Sequence, residues 1–339
     1  MKKLLICIVI SVFFAVYAER SHAVLGIPDH VPAATVIVPY FEVGIDSTTY
    51  PHDTLPVVTN IDAGATVPVH FEMWNVFGVR AGYGNNITLS PLESRSFSVR
   101  ALINSLPPEF REMFEDGAYY RGFMTFDVVT ASTAVPPTDA SYPFGNRNAL
   151  EGWIYYTNLT QGSSNGLPML AIEGVPPGTH NLLYGFYQNS DNREEIDADA
   201  RYSAKLMTTG GSSAADPDNS IDRIDSRLYL AYENAATSKV IVFTFPSAGF
   251  SLGSNFPGNV TYKRYDEAGN TLADITYDLN RVVNVISYTS HPGPDSKNGW
   301  LSLWNVPDEF ETYAFSINSA HPPGQPDLTW DAIFESKIY

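Results

Sequence analysis

Glu151-Gly152-Trp153-Ile154-Tyr155-Tyr156 is the middle copy of a short phrase that occurs three times in the chain. The others are Arg121-Gly122-Phe123-Met124-Thr125-Phe126 and Asn298-Gly299-Trp300-Leu301-Ser302-Leu303. Each sets a Gly before a large aromatic and then residues that suit a half-buried strand. Gly tolerates a close approach of neighbouring backbone, and the aromatic covers a wide apolar area. All three read as inner strands of sheets, with the rest of the chain built around them.

Composition agrees. Of 339 residues 44% are hydrophobic and only 17% charged, which suffices for a large core. The 24 Gly and 24 Pro are spread along the chain and leave little room for long helices, and aromatics reach 13%. That profile belongs to a turn-rich β protein.

Val67, Val69, Phe71 and Met73 alternate with Pro68, His70, Glu72 and Trp74, a period of two that marks a strand. Thr35–Val43 is a first strand whose Pro39 places it at a sheet edge, Leu55–Asn60 a second, and Phe97-Val99-Ala101 a further short one. One helix is expected near Pro107–Asp116, with Pro in its first turn and Gly117 as its stop. Ala131–Asn148, rich in Pro, Thr, Ser and Asn, reads as a long surface loop.

The second half echoes the first. A strand ending at Asn60 matches one ending at Asn234, and Val67–Val76 matches Val240–Phe245. Leu92–Ala101 matches Leu279–Tyr288, and Gly122–Phe126 matches Gly299–Leu303, leaving a hairpin turning at Asp266–Asn270 as an addition. The expected fold is all-β: two antiparallel β-sandwich units, Ig-like or jelly-roll-like, related by duplication, with one short helix. The expected divisions are a signal peptide at 1–23, an N-terminal unit at 24–209, an acidic linker at 210–226 and a C-terminal unit at 227–339.

Location follows from the N-terminus. Met1-Lys2-Lys3 precedes an apolar run from Leu4 to Ala18 broken by Ser11, and Ser21-His22-Ala23 fits a small-x-small cleavage site. This is the pattern of a secretory signal, too short for a typical membrane span. The chain is expected to be exported, to the periplasm, cell surface or medium. The single Cys, Cys7, lies inside the run and leaves with it, so no disulfide or thiolate metal site is expected.

The formal net charge of −17 disfavours nucleic acid and anionic membrane surfaces, both of which require Lys and Arg. Carbohydrate or another envelope protein remains as a partner class.

Val38-Pro39-Tyr40-Phe41-Glu42-Val43, the strand ending at Asn60, and Gly152–Tyr156 with Asn165-Gly166-Leu167-Pro168-Met169 resemble stretches of exported β-rich proteins of Gram-negative bacteria, a functionally uncharacterised group. The resemblance implies an exported β-rich chain and assigns no activity or functional residue.

Candidate chemistry is sparse. Gly162-Ser163-Ser164-Asn165-Gly166 and Gly249-Phe250-Ser251-Leu252-Gly253 match the G-x-S-x-G nucleophile pattern, which requires a strand–elbow–helix around Ser164 or Ser251. Pro168 and Pro257 follow them where that helix should be, which favours ordinary loops. Glu72, between His70 and Trp74 on one strand face, is the candidate carboxylate for a glycosidase and needs a second carboxylate nearby; the alternative is an exposed or half-exposed sheet face. Asp216, Asp218, Ser220 and Asp222 place side-chain oxygens at alternate positions, as a Ca²⁺ loop does, although Ile221 stands where an EF-hand has Gly. A solvated acidic linker is the competing reading.

Three functions follow: an exported non-catalytic envelope or surface protein with a binding or structural role, a secreted hydrolase of polysaccharide or ester, or an outer-membrane β-barrel. The first leads because neither serine has its structural context. Strands of five to eight residues, against the roughly ten a membrane strand requires, disfavour the barrel. Intact-mass analysis of exported material is expected to give a chain that begins at Val24 and lacks cysteine; a mass that retains Leu4–Ala18 would overturn the export reading.

Overall fold

The computed structural model describes residues 32–80, 84–135, 142–158, 163–172, 223–228, 237–246, 259–266, 268–287, 299–304, 310–320, 330–335 and 337–338. The first half contains β1 (Thr35–Gly44), β2 (His52–Asn60), β3 (Val67–Asn75), β4 (Asn85–Leu89), β5 (Ser94–Ser96), α1 (Val99–Ser105), α2 (Pro108–Arg111), β6 (Glu115–Asp116), β7 (Tyr119–Val128), β8 (Leu150–Asn158), β9 (Ser163–Pro168) and β10 (Leu170–Ile172). The second contains β11 (Arg223–Leu228), β12 (Thr237–Pro246), β13 (Asn259–Asp266), β14 (Thr271–Asp278), β15 (Val283–Ser287), β16 (Gly299–Trp304), β17 (Phe310–Ala320), β18 (Trp330–Glu335) and β19 (Lys337–Ile338). β11 therefore begins within the stretch expected as linker.

The sheets are antiparallel and stacked in pairs. In the first half the order β10-β1-β7-β3-β4 packs on β5-β2-β8-β9. In the second, β19-β11-β16-β13-β14 packs on β15-β12-β17-β18. Renumbering the second half from its first strand, and passing over the two-residue β6, makes the two pairs of sheets identical in order.

Register repeats as well. Gly122 lies opposite Phe41 and Asn75, and Gly299 lies opposite Leu228 and Asp266. Asn60 N donates to Glu93 O at 2.9 Å, and its counterpart Thr244 N donates to Val282 O at 2.7 Å. The hairpin turns match atom for atom. Val79 N donates to Asn75 Oδ1 at 2.9 Å, and Asn270 N donates to Asp266 Oδ1 at 2.8 Å. Gly78 and Gly269 stand at the same point of these turns with φ of 75° and 85°, a conformation that favours Gly.

This corrects three of the matches read from the sequence: Asn60 corresponds to Thr244 on β12 rather than to Asn234. The counterpart of Val67–Asn75 is β13, not β12, and the hairpin at Asp266–Asn270 is the partner of the one after Asn75 rather than an addition. Apolar content misled the comparison: β12 is as apolar as β3 because it is covered on both faces. The match of Gly122 to Gly299 agrees with the register, and that of Leu92–Ala101 to Leu279–Tyr288 falls on corresponding segments with a two-residue offset, since Ser94 corresponds to Val283.

All three Gly-aromatic strands are inner strands: β7 lies between β1 and β3, β8 between β2 and β9, and β16 between β13 and β11. At Gly122 a Cβ would strike the carbonyl oxygen of Trp74, and at Gly299 that of Tyr265. The middle copy differs, since a Cβ at Gly152 would meet the Met169 side chain.

β1 is also an inner strand, between β10 and β7, rather than an edge. Pro39 is accommodated because the register shifts between Val38 and Phe41, and a bulge removes the need for its missing N–H. Val99–Ser105 is helix where a strand was expected. Ser98 caps it by accepting from Ala101 N at 3.1 Å, and three alternating residues were too few to distinguish the periods. The expected helix is present as α2 and a 3₁₀ turn at Glu112–Phe114. Part of the expected surface loop folds inward, with Tyr142 5% exposed and Val129 bridged to Phe144.

One apolar core runs through the first half and takes in Ile241, Phe243, Val283, Tyr313 and Phe315 from the second. These lie on the outer face of the β15-β12-β17-β18 sheet, so that face docks on the first half. Gly122→Ala and Gly299→Ala are each expected to destabilise the protein by about 1–3 kcal/mol through the same backbone clash, measured by urea unfolding. Gly64→Ala, with no atom nearer than 3.5 Å to the added carbon, serves as control.

Candidate functional site

Glu72 lies on β3 and His70 two residues before it, so both point to the outer face of the β1-β7-β3 layer, away from Phe71 and Met73. Neither is exposed. Glu72 Oε1 accepts from Arg80 Nε at 2.9 Å, contacts Arg80 Nη2 at 2.7 Å, and faces His70 Nε2 at 3.0 Å. His70 Nδ1 faces Asn86 Oδ1 at 3.2 Å. The amide of Asn86 is oriented by Thr133, whose carbonyl accepts from Nδ2 at 2.7 Å while its N–H donates to Oδ1 at 3.0 Å. Both ring nitrogens therefore face oxygen acceptors, an arrangement that a doubly protonated imidazolium satisfies. Gly84 closes the pair: a Cβ there would overlap Glu72 Oε1 and the His70 ring.

Beside them is Asp127, opposite His70 in the ladder and fully buried. It accepts from Thr35 Oγ1 at 2.7 Å and from Tyr142 OH at 3.1 Å. Burial pushes its carboxyl up to about 7, against the two hydrogen bonds and His70. Trp74 completes the face, stacked on Phe123 at 5.8 Å and donating from Nε1 to Thr125 Oγ1 at 3.2 Å. Trp74 is thus a core residue, and Glu72 lies on neither an open substrate platform nor an exposed sheet face. Strand alternation marked the shared face, but the enclosure comes from Arg80 and Gly84 after β3 and from Tyr142 before β8.

A second polar cluster joins the two halves. Glu42 Oε1 accepts from Lys239 Nζ at 2.6 Å, and Glu42 Oε2 from Tyr40 OH at 2.5 Å and Arg121 Nη2 at 2.8 Å. Arg121 Nη1 continues to Asp116 Oδ2 at 2.9 Å, and Arg281 Nη1 reaches Asp116 Oδ1 at 3.2 Å. The result is an alternating line, Lys239–Glu42–Arg121–Asp116–Arg281, whose two ends come from the second half. Tyr119 lies under it, its ring 4.9 Å from Arg121 and 4.8 Å from Lys239. Burial raises the Glu42 carboxyl, but Lys239 and Arg121 outweigh it and hold the group down at about 2. Val283 N also donates to Val76 O at 3.1 Å across the junction.

Ser164 is exposed on β9, paired with Thr157 in an extended ladder, so it stands on no strand–elbow–helix. Ser251 lies outside the described residues, as do Asp216, Asp218, Ser220 and Asp222 and any Ca²⁺ they hold. Among the described residues no group of three His, Cys, Asp or Glu is placed to hold a metal ion. Glu42, Asp127, Arg121 and Lys239 were not singled out from the sequence. Single charges inside apolar strands, as in Tyr40-Phe41-Glu42-Val43 and Thr125-Phe126-Asp127-Val128, are the signal that marks them.

No family model matches the chain, and no curated protein matches it. Among solved structures it is similar to a lectin from Pleurotus ostreatus solved in complex with GalNAc, at 10% identity and a TM-score of 0.17, covering 91% of this chain and 83% of that one. A score that low bears on neither fold nor ligand.

The two carboxylates set opposite pH slopes. Glu42 has a depressed folded value, so its stabilisation is present above about pH 4.3 and is lost as pH falls toward 2. Asp127 has a raised one: the folded state keeps a proton that the unfolded chain releases above about pH 4, so stability declines as pH rises to about 7. Urea unfolding between pH 2 and 8 is expected to show both limbs. Lys239→Met should flatten the acid limb and Asp127→Asn the neutral one.

Proposed function

We propose that this chain is an exported, non-catalytic protein of the cell envelope or surface with a binding or structural role. The observation that carries the reading is the enclosure of Glu72. It was the leading catalytic carboxylate, yet its charge is engaged by Arg80 and His70, and Gly84 lies across it. A general acid or nucleophile must reach its substrate. Ser164, the other described candidate, lacks the elbow that makes a serine reactive.

The N-terminal apolar run supports export. The sheets do not favour the membrane barrel: each described sheet has two ends and none closes on itself, whereas a spanning barrel is one closed sheet. Carbohydrate and other envelope proteins are the partner classes consistent with the acidic charge, and a glycan array tests the first.

Glu72→Gln is expected to lose roughly 3–5 kcal/mol of stability, as buried ion pairs do when one partner is removed. The wild type is expected to show no turnover in a screen of polysaccharides and esters. Turnover that disappears in a folded Glu72→Gln or Ser164→Ala protein would overturn the proposal and restore the hydrolase.

A further inference from the structure

The enclosed polar face of β3 and β7 is shut in part by a short segment, Tyr142-Pro143-Phe144-Gly145. Two backbone bonds tie it to the end of β7: Thr130 N donates to Pro143 O and Gly145 N to Val128 O, each at 2.8 Å. Val129 and Phe144 form the bridge between them. Nearer β8 the chain is held by a different strand, since Ala149 N and Leu150 N donate to Ala33 O at 3.0 and 2.9 Å. The side chain that reaches the buried groups is Tyr142. Its hydroxyl donates to Asp127 Oδ2 at 3.1 Å, and its ring stands edge-on to that of His70 at 5.6 Å between centroids.

Asp127 is badly placed to be an anion. The groups that face it are Thr35 on β1, His70 and Glu72 on β3, and Tyr142, with Arg80 on the far side of Glu72. Thr35 and Tyr142 offer hydroxyls and no charge. His70 lies opposite Asp127 in the ladder, but its ring nitrogens are turned elsewhere, Nε2 to Glu72 Oε1 at 3.0 Å and Nδ1 to Asn86 Oδ1 at 3.2 Å. Arg80 is likewise engaged by Glu72 Oε1. Glu72 contributes like charge, and its own Oε2 is buried with no hydrogen-bond partner among the described residues.

We propose that Tyr142–Gly145 is a proton-controlled lid over the His70–Glu72–Asp127 cluster, held shut while Asp127 carries its proton and loosened as that proton is lost. Lifting the segment admits water to a carboxyl that has no cation in contact. A carboxyl removed from water keeps its proton beyond the usual range, and burial pushes this one up to about 7. Tyr142 stays a phenol throughout, because burial and Asp127 push its hydroxyl upward. The sign follows from linkage. Once hydrated, Asp127 ionises near about pH 4, whereas under the closed lid it ionises only at about 7. Between those limits each pH unit favours the open form by about tenfold; above about 7 the gain levels off, because the closed form has ionised too. The inference goes beyond the non-catalytic reading and does not rest on it. A lid that moves without turnover leaves that reading intact, and turnover with an unmoving lid would overturn the reading and the lid separately.

The test is amide hydrogen exchange, read residue by residue on the chain from Val24 onward, which keeps every described residue. Rates are expressed as protection relative to an unstructured chain at the same pH, so the intrinsic pH dependence cancels. The N–H groups of Thr130 and Gly145 report the lid, and that of Thr244, which donates to Val282 O, reports a remote strand. Lid protection is expected to fall about tenfold per pH unit between about pH 4.5 and 6.5 and to level off above about 7. It should be indifferent to low urea, since a local opening exposes little surface. Asp127→Asn, which keeps the shape and cannot ionise, should abolish the slope at Thr130 and Gly145. If that variant does not fold, the wild type decides alone: the bend in its exchange profile must coincide with the titration of the Asp127 carboxyl carbon followed by NMR. Lid protection that does not change with pH overturns the proposal, as does a slope that survives Asp127→Asn. Lid amides that exchange only with the rate and urea sensitivity of Thr244 overturn it too, because they would report unfolding of the whole chain. So does a bend that falls away from the carboxyl titration.

Discussion

The carboxylate of Glu42 holds the two halves to one another. A buried ion is tolerated only when opposite charge and hydrogen bonds replace its water, and the first half supplies Arg121 and Tyr40 but leaves Oε1 to Lys239. Separating the halves would leave that oxygen to find water in place of the ammonium, while exposing Phe123 and Tyr156 on one side and Phe243 and Phe315 on the other. Apolar burial drives the docking and is indifferent to small rotations. The charged line fixes the angle, because Lys239 and Arg281 must meet Glu42 and Asp116 together.

One strand order thus serves two different surroundings. The repeat preserves what any such sandwich needs: Gly opposite a carbonyl at 122 and 299, an Asx side chain closing the hairpin at 75 and 266, and a positive-φ Gly three residues later. It varies what faces outward. His70 and Glu72 correspond to Thr261 and Lys263, and Trp153 to Phe315. Polar groups are enclosed where Gly84 and Tyr142 lie over the sheet, and apolar groups are enclosed where the other half does.

Much of the fold was legible in the residues. Period-two alternation located β3, Gly followed by an aromatic located three inner strands, and Asp266–Asn270 announced its turn. Pro39 misled because a bulge, which no local signal announces, removes its penalty. Phe97-Val99-Ala101 misled because three alternating apolar residues fit either period until a cap, here Ser98, decides. The candidate site was legible in membership and not in burial. His70, Glu72 and Trp74 were placed on one face, but whether that face meets solvent depends on Gly84 and Tyr142 lying over it, contacts that strand patterning does not encode. The shared strand order was visible at the Gly positions, where backbone geometry constrains identity, and obscured at β12, where burial on both faces had replaced the alternating pattern.

Each half is also closed in an order that bears on how the chain acquires its structure. β1 finds its neighbours in β7 and β10, and β11 finds its own in β16 and β19, so the opening strand of each half pairs only with strands made much later. Long intervening loops must be ordered before any of these ladders gains a bond, and such topologies form slowly. In a chain with this wiring the opening strand of each half waits for partners made later, while hairpins such as β3–β4 and β13–β14 close locally. That delay leaves the opening strands in need of shelter until the closing ones arrive.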